Sequence, residues 1–263
     1  MLGVKNNEKI VITNEKGGIG KTSVAVHLAH YCYERGMRVL FVDMDKQGNS
    51  GFSLSKVAVE IKDTHSLFAD IQNFETLDKY FVLFKGNKSL KSLFDPTEQE
   101  FKLDKVEEYQ RNFKSNIAKA NEFFDICIFD TPPTDGPFQR LPLLVSEFAL
   151  SPFLLDKYSI LGLRGIIDTT QEIKEVNPKI QFLGLLPNMV SANSVTQKTT
   201  LNELQKQLSH LMLDKTAFIP NRSAIADASE QQVPVWKIDK TSAKDVGRKI
   251  KKINQLVLEK MGV

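Results

Sequence analysis

A chain of 263 residues, 41% hydrophobic and 25% charged, can close one substantial core, and that balance excludes a disordered protein. No run approaches the roughly 18 consecutive apolar residues that a membrane span needs, and no apolar stretch of a secretory signal precedes the first strand. The net charge of +3 excludes general adhesion to nucleic acid, yet residues 237–252 hold seven bases against two acids, a net +5, so the rest of the chain sums to −2.

Residues 10–14 predict a short buried strand that runs at once into a glycine-rich turn. From 21 to about 35, Val24, Leu28, Ala29, Tyr31 and Cys32 recur at helical spacing, and Gly36 suits the helix end. Residues 38–43 (RVLFVD) predict a second buried strand, and strand–loop–helix–strand is how a parallel sheet begins. A strand at 80–84 is turned by Gly86 and Asn87, and the highly charged stretch 99–122 predicts a solvated helix. Residues 125–130 (DICIFD) predict a clear strand and 131–137 a loop. Strands at 148–155, 180–187 and 217–220 follow, with helices at 159–176 and 195–211 between them and a last one at 243–260. The expected fold is therefore α/β, a doubly wound and mostly parallel sheet flanked by helices, with residues 1–263 read as one domain. Cys32 and Cys127 each stand alone in an apolar segment, with no CxxC pair, and read as buried thiols in a reducing cytoplasm.

Three motifs carry chemistry. Lys16-Gly17-Gly18-Ile19-Gly20-Lys21-Thr22 lies between the first strand and its helix. Glycines there let backbone N–H groups wrap phosphates at the positive end of a helix. Lys21 would neutralise the β- and γ-phosphates, the Thr22 hydroxyl would ligate Mg²⁺, and Ser23 is placed for the α-phosphate. The ordinary GxxxxGK[ST] pattern would start at position 15, which is Glu15; the loop has instead a second lysine, Lys16. The second motif is a strand ending in two carboxylates, Phe41-Val42-Asp43-Met44-Asp45-Lys46-Gln47-Gly48-Asn49. The third, Ile126-Cys127-Ile128-Phe129-Asp130-Thr131-Pro132-Pro133, is an apolar strand ending in Asp130, the pattern whose carboxylate holds Mg²⁺ through a water.

The loop KGGxGK[ST] resembles the deviant Walker A box of the ParA/MinD superfamily of dimerising P-loop ATPases. That resemblance implies that Lys16 reaches across a homodimer to the partner's nucleotide, with ATP joining the two subunits. The Asp43–Asn49 stretch resembles the DxDPQGN switch motif, with Lys46 where proline is usual. By that match Asp45 orients or activates the attacking water and Asp43 lies near the Mg²⁺ shell. The ending Asp130-Thr131-Pro132-Pro133 resembles the same superfamily. Leu185-Leu186-Pro187-Asn188 ends a strand as the family's adenine-contacting asparagine does, and Phe218-Ile219-Pro220 resembles its late base-binding loop. The similarity runs from about residue 10 to 258, and 85–121 match nothing.

Three functions fit that machinery. A ParA-like partitioning ATPase binds non-specific double-stranded DNA as the ATP dimer, and Arg222, Lys244, Arg248, Lys249, Lys251 and Lys252 are the candidate phosphate contacts. The resemblance adds a ParB-like centromere-binding protein as stimulator of slow hydrolysis, and a cytoplasmic, nucleoid-associated location. No helix-turn-helix region precedes residue 10, so no operator binding is expected. A MinD-like ATPase would need a terminal amphipathic helix free for the membrane. Val246, Ile250, Ile253, Val257 and Met261 form one apolar stripe, which more simply docks on the domain, so a membrane partner is not expected. The third reading, reduction, metal delivery or ligation, would commonly place paired cysteines at the dimer face, and neither cysteine is available there. An ATPase positioning another cellular cargo also stays open.

Overall fold

The computed structural model describes residues 7–77, 80–156, 162–191 and 193–263. The apolar runs become strands β1 (Glu8–Ile12), β2 (Val39–Asp43), β3 (Glu60–Asp63), β4 (Phe81–Lys85), β5 (Ile126–Asp130), β6 (Phe148–Leu154) and β7 (Gln181–Asn188). All pair in parallel, in the order β3-β4-β2-β5-β1-β6-β7. Parallel strands need crossovers, and helices supply most of them: α1 (Lys21–Glu34), α2 (Asn49–Leu54), α3 (Ser66–Ala69), α4 (Lys91–Phe94), α5 (Val106–Ala120), α6 (Pro137–Val145) and α7 (Leu163–Val176). After β7 come α8 (Val195–Gln207), α9 (Ser223–Gln231) and α10 (Thr241–Met261).

Successive strand side chains point to opposite faces, so one buried strand feeds two cores. Ile10, Ile12, Phe41 and Ile128 pack with Val24 and Leu28 of α1 and with Val246, Ile250 and Val257 of α10. Their neighbours Val11, Val42 and Phe129 pack on the other face with Phe68, Phe113 and Leu141. The expected apolar stripe of α10 is thus docked, with Val246, Ile250, Ile253, Val257 and Met261 all buried. No described helix is long and apolar enough to cross a membrane.

Most expected elements form within two or three residues of their predicted bounds, and Gly36 closes α1 in the left-handed region (φ 77°). The helices expected at 99–122 and 195–211 are shorter, Val106–Ala120 and Val195–Gln207, and three further expectations change. The charged 99–122 stretch is not solvated all round: α5 buries Phe113, Ile117 and Ala120, and Asn116 accepts from Gln72 N and donates to Leu67 O and Asp70 O. Residues 217–220 form no strand, only a bridge between Val190 and Pro220; Pro220 has no N–H, and Met189 at φ 53° turns the β7 exit out of strand geometry. The loop expected to run through 137 ends at 136, because Pro137 opens α6, where a missing N–H costs nothing. The start of the helix expected at 159–176 lies partly outside the described residues; α7 covers the rest.

Candidate functional site

The sheet register brings the motifs to one end of the central strands. Asp43 pairs with Asp130 across β2 and β5, and Ile12 pairs with Asp130 across β1 and β5, so all three motif strands end level with each other. The loop after β1 is pinned at its entry: Asn14 Nδ2 donates to Pro152 O (2.9 Å) and Ser151 Oγ (3.3 Å), while Asn14 Oδ1 accepts from Lys16 N (2.9 Å). At its exit Gly20 has φ 86°, and a Cβ there would stand 2.2 Å from Asn188 Nδ2, so only glycine lets the loop lie on the end of β7. Asn188 Nδ2 donates to Ile19 O (2.7 Å) and its Oδ1 accepts from Met189 N (2.9 Å).

Lys21 is buried and its Nζ donates to Lys16 O (3.1 Å), so the ammonium closes across the loop that would cradle a phosphate. Burial pulls its pKa down, while Asp130 and Asp45 pull it up. Beneath lie Asp43 and Asp130, both essentially inaccessible. Asp43 accepts from Asp45 N and Gly51 N, each at 3.0 Å. Burial raises the pKa of both acids; for Asp130 the adjacent Asp43 carboxylate raises it further, and the Thr22 and Ser50 hydroxyls beside it lower it. Asp130 Oδ1 and Ser50 Oγ are buried with no hydrogen-bond partner among the described residues. Two crowded carboxylates, a threonine hydroxyl and orphaned oxygens suit a hard divalent cation such as Mg²⁺. Among the described residues no cluster of three or more His, Cys, Asp or Glu could hold a metal alone.

Above this floor a cavity of about 620 Å³ is lined by Gly18, Ile19, Gly20, Lys21, Thr22, Ser23, Asp45, Asn188, Pro220 and Arg222. Ten of the residues picked from sequence therefore meet in one place. Gly17 backs onto Pro133. Asp45 is half-buried, and its Oδ1 accepts from Gln47 N (2.9 Å). Lys16 does not line the cavity. Its ammonium sits 2.9 Å and 3.0 Å from the two Asp156 oxygens, an ion pair with both side chains 38% exposed.

Five of the six expected DNA contacts lie on α10, apart from Arg222 on the cavity wall. Lys244 pairs with Asp239 (2.8 Å) and Arg248 with Asp245. Lys249 stands over the Phe218 ring (4.5 Å), Lys251 over the Trp236 ring (4.9 Å) and 3.6 Å from Glu34, and Lys252 is exposed. Sequence reasoning missed His27, which lines the cavity one turn after Ser23 and could have been found from that spacing. It also missed Asp156, which no motif marks. The unmatched region 85–121 supplies Lys91, Phe94, Asp95 and Pro96 to a second cavity, of about 430 Å³, that shares Asp45, Gln47 and Pro133 with the first.

Residues 7–182 match the family model described as "AAA domain". The chain is similar to Protein IncC of Escherichia coli, 33% identical over 99% of this chain and 72% of the relative. It is also similar to the chromosome-partitioning ATPase Soj of Thermus thermophilus, 26% identical over 84% of each. Among solved structures the ATP complex of Cyanothece McdA superposes with a TM-score of 0.76 at 18% identity, covering 96% of this chain and 97% of that one.

Proposed function

The chain belongs to the AAA-domain family and is a partitioning ATPase of the ParA/MinD type, and from that premise we propose that it hydrolyses ATP as an ATP-joined homodimer riding on non-specific DNA. The carrying observation is Lys16, held outside its own cavity by a half-exposed ion pair with Asp156. A pair exposed to that degree is worth roughly 0–1 kcal/mol, so a facing subunit's phosphates can take the lysine over. Each subunit would then lend its Lys16 to the other's nucleotide, a cation delivered only when two subunits meet.

Within one subunit the loop N–H groups and Lys21 hold the β- and γ-phosphates, Ser23 the α-phosphate, and Asn188 and Pro220 the adenine side of the cavity. Asp45 orients the attacking water. Thr22, with Asp130 and Asp43 behind it, would hold Mg²⁺, which would supply the positive charge that neutralises charge developing on the phosphoryl group. Hydrolysis removes the γ-phosphate that Lys16 crossed over to reach, and the dimer releases. Turnover is slow until a centromere-binding, ParB-like partner stimulates it. The site of work is the cytoplasmic nucleoid, reached through Arg222 and through Lys244, Arg248 and Lys252 of α10. The docked stripe of α10 speaks against a membrane-positioning role.

The test is binding of the full chain to non-specific duplex DNA and to anionic liposomes, each with and without ATP. The expected result is ATP-dependent, sequence-independent DNA binding that weakens steeply with salt as counterions are released, with no liposome binding. Binding to liposomes alone would overturn the DNA reading.

A further inference from the structure

One stretch of chain builds a whole wall of the nucleotide cavity: Pro220, Asn221, Arg222, Ser223 and then Ile225, Ser229 and Val233 on and after α9. Strand β7 and its exit hold the start of this wall, where Ile219 N donates to Pro187 O (2.9 Å) and Asn221 N to Val190 O (2.9 Å). Further on, α9 is tied by Ser229 Oγ against Ser53 Oγ (3.1 Å) and by Lys56 Nζ donating to Gln231 O (3.0 Å). Two lysines of α10 meet aromatic rings at either end of it. Lys249 stands 4.5 Å over the Phe218 ring, two residues before Pro220. Lys251 stands 4.9 Å over the Trp236 ring, three residues after Val233. Trp236 is held from the other side as well: its Nε1 donates to Glu34 (2.9 Å), its ring meets His27 edge-on at 5.6 Å, and Gly247 of α10 lies so close that a Cβ would stand 2.8 Å from Trp236 Cβ. His27 completes the bracket, accepting at Nε2 from Val235 N (3.2 Å) while itself lining the cavity.

We propose that Lys249 and Lys251 are positioning residues of the nucleotide site, holding the base-side wall at both ends through Phe218 and Trp236, rather than contacts to DNA. This assignment rests on the reading of the cavity as the ATP site. Its physical basis is the attraction of an ammonium for the negative face of an aromatic ring, applied where a loop-built wall has few sheet hydrogen bonds to hold it. The two lysines then tie the helix that carries the basic face to the wall that meets the base.

The experiment measures equilibrium affinities of the full chain for Mg-ATP and for inorganic tripolyphosphate, which fills the phosphate cradle but has no base. Lys249→Ala and Lys251→Ala should each weaken ATP binding about two- to fivefold, the range expected of exposed cation–π contacts, and leave tripolyphosphate affinity unchanged. Lys249→Arg, which keeps a cation over the ring, should restore ATP affinity. Phe218→Leu should add little to Lys249→Ala, because both remove one contact. Equal losses for ATP and tripolyphosphate would overturn the assignment, since the cradle and not the wall would then be disturbed. Unchanged ATP affinity together with weaker DNA binding at saturating ATP would also overturn it and return both lysines to DNA. If the wild-type chain fails to prefer ATP to tripolyphosphate, the ATP reading of the cavity falls, and this assignment with it; no result from the lysine variants alone could produce that outcome.

Discussion

The two sides of the nucleotide cavity are built by different means. The phosphate side hangs on the ends of β1, β2 and β5, whose register sets Ile12, Asp43 and Asp130 level, and its acids are sealed from solvent. The base side is a loop, a short helix and another loop, held by a few hydrogen bonds and by rings packed under α10. The strand ends hold Asp43 and Asp130 level between paired neighbours, and burial there raises the pKa of both. The base-side wall instead depends on side chains brought from α1, α2 and α10, which sequence-local rules do not specify.

Substitutions can break this contrast. The largest effects should come from the phosphate side. Lys16→Ala and Lys21→Ala should each lower ATP turnover by about 10²-fold or more, as lost transition-state cations do; Asp45→Ala should cost a similar factor while still binding ATP. Steady-state phosphate release and ATP affinity decide both, and an unchanged rate in both lysine variants would refute the deviant P-loop assignment.

On the base side, acid should act through His27. Burial pulls its imidazole down to about 4, and its Nε2 must stay unprotonated to accept from Val235 N. The unfolded histidine takes up protons nearer its ordinary value of about 6.5, so this stabilisation is complete above that pH and is lost as pH falls toward 4, on the order of 3 kcal/mol. Thermal unfolding at stepped pH should show the fall in the wild type and a smaller one in His27→Gln.

A smaller effect is expected of Gly247→Ala. Its new Cβ would meet Trp236 at 2.8 Å, and such overpacking typically costs about 1–3 kcal/mol. Melting temperature should drop, and ATP affinity should fall more than tripolyphosphate affinity. The smallest change should have the opposite sign. Asp130→Asn removes a buried acid whose ionisation both burial and Asp43 oppose, so the nucleotide-free protein should gain about 0.5–2 kcal/mol at neutral pH while losing Mg²⁺-dependent turnover. The sign follows because both acids are raised: the contribution of this pair to stability is greatest below the ordinary carboxylate range and declines as pH rises through their folded values. A melting temperature that falls in Asp130→Asn would show that this carboxylate is structural.

Much of the phosphate side was legible in the sequence, because its residues lie within a few positions of an apolar run and local rules suffice: glycines where φ is positive, a lysine at a helix start, acids at strand ends. The strand assignment at 217–220 failed because apolar pattern says nothing of a missing N–H partner, and α5 read as solvated because its Phe113 and Ile117 are only two among many charges. The second cavity, with its wall from the unmatched 85–121 region, has no local signature at all.

By itself, then, the sequence determined the alternation of strands and helices, the phosphate cradle, and the presence of a second loop lysine that argues for a dimer. Only the tertiary structure decided where that lysine rests, on Asp156 140 residues away, and which basic residues of α10 stand over rings rather than facing solvent alone. The reason is range: backbone geometry and hydrophobic period act over a few residues, whereas an ion pair or a cation over a ring forms only after folding has carried distant segments together.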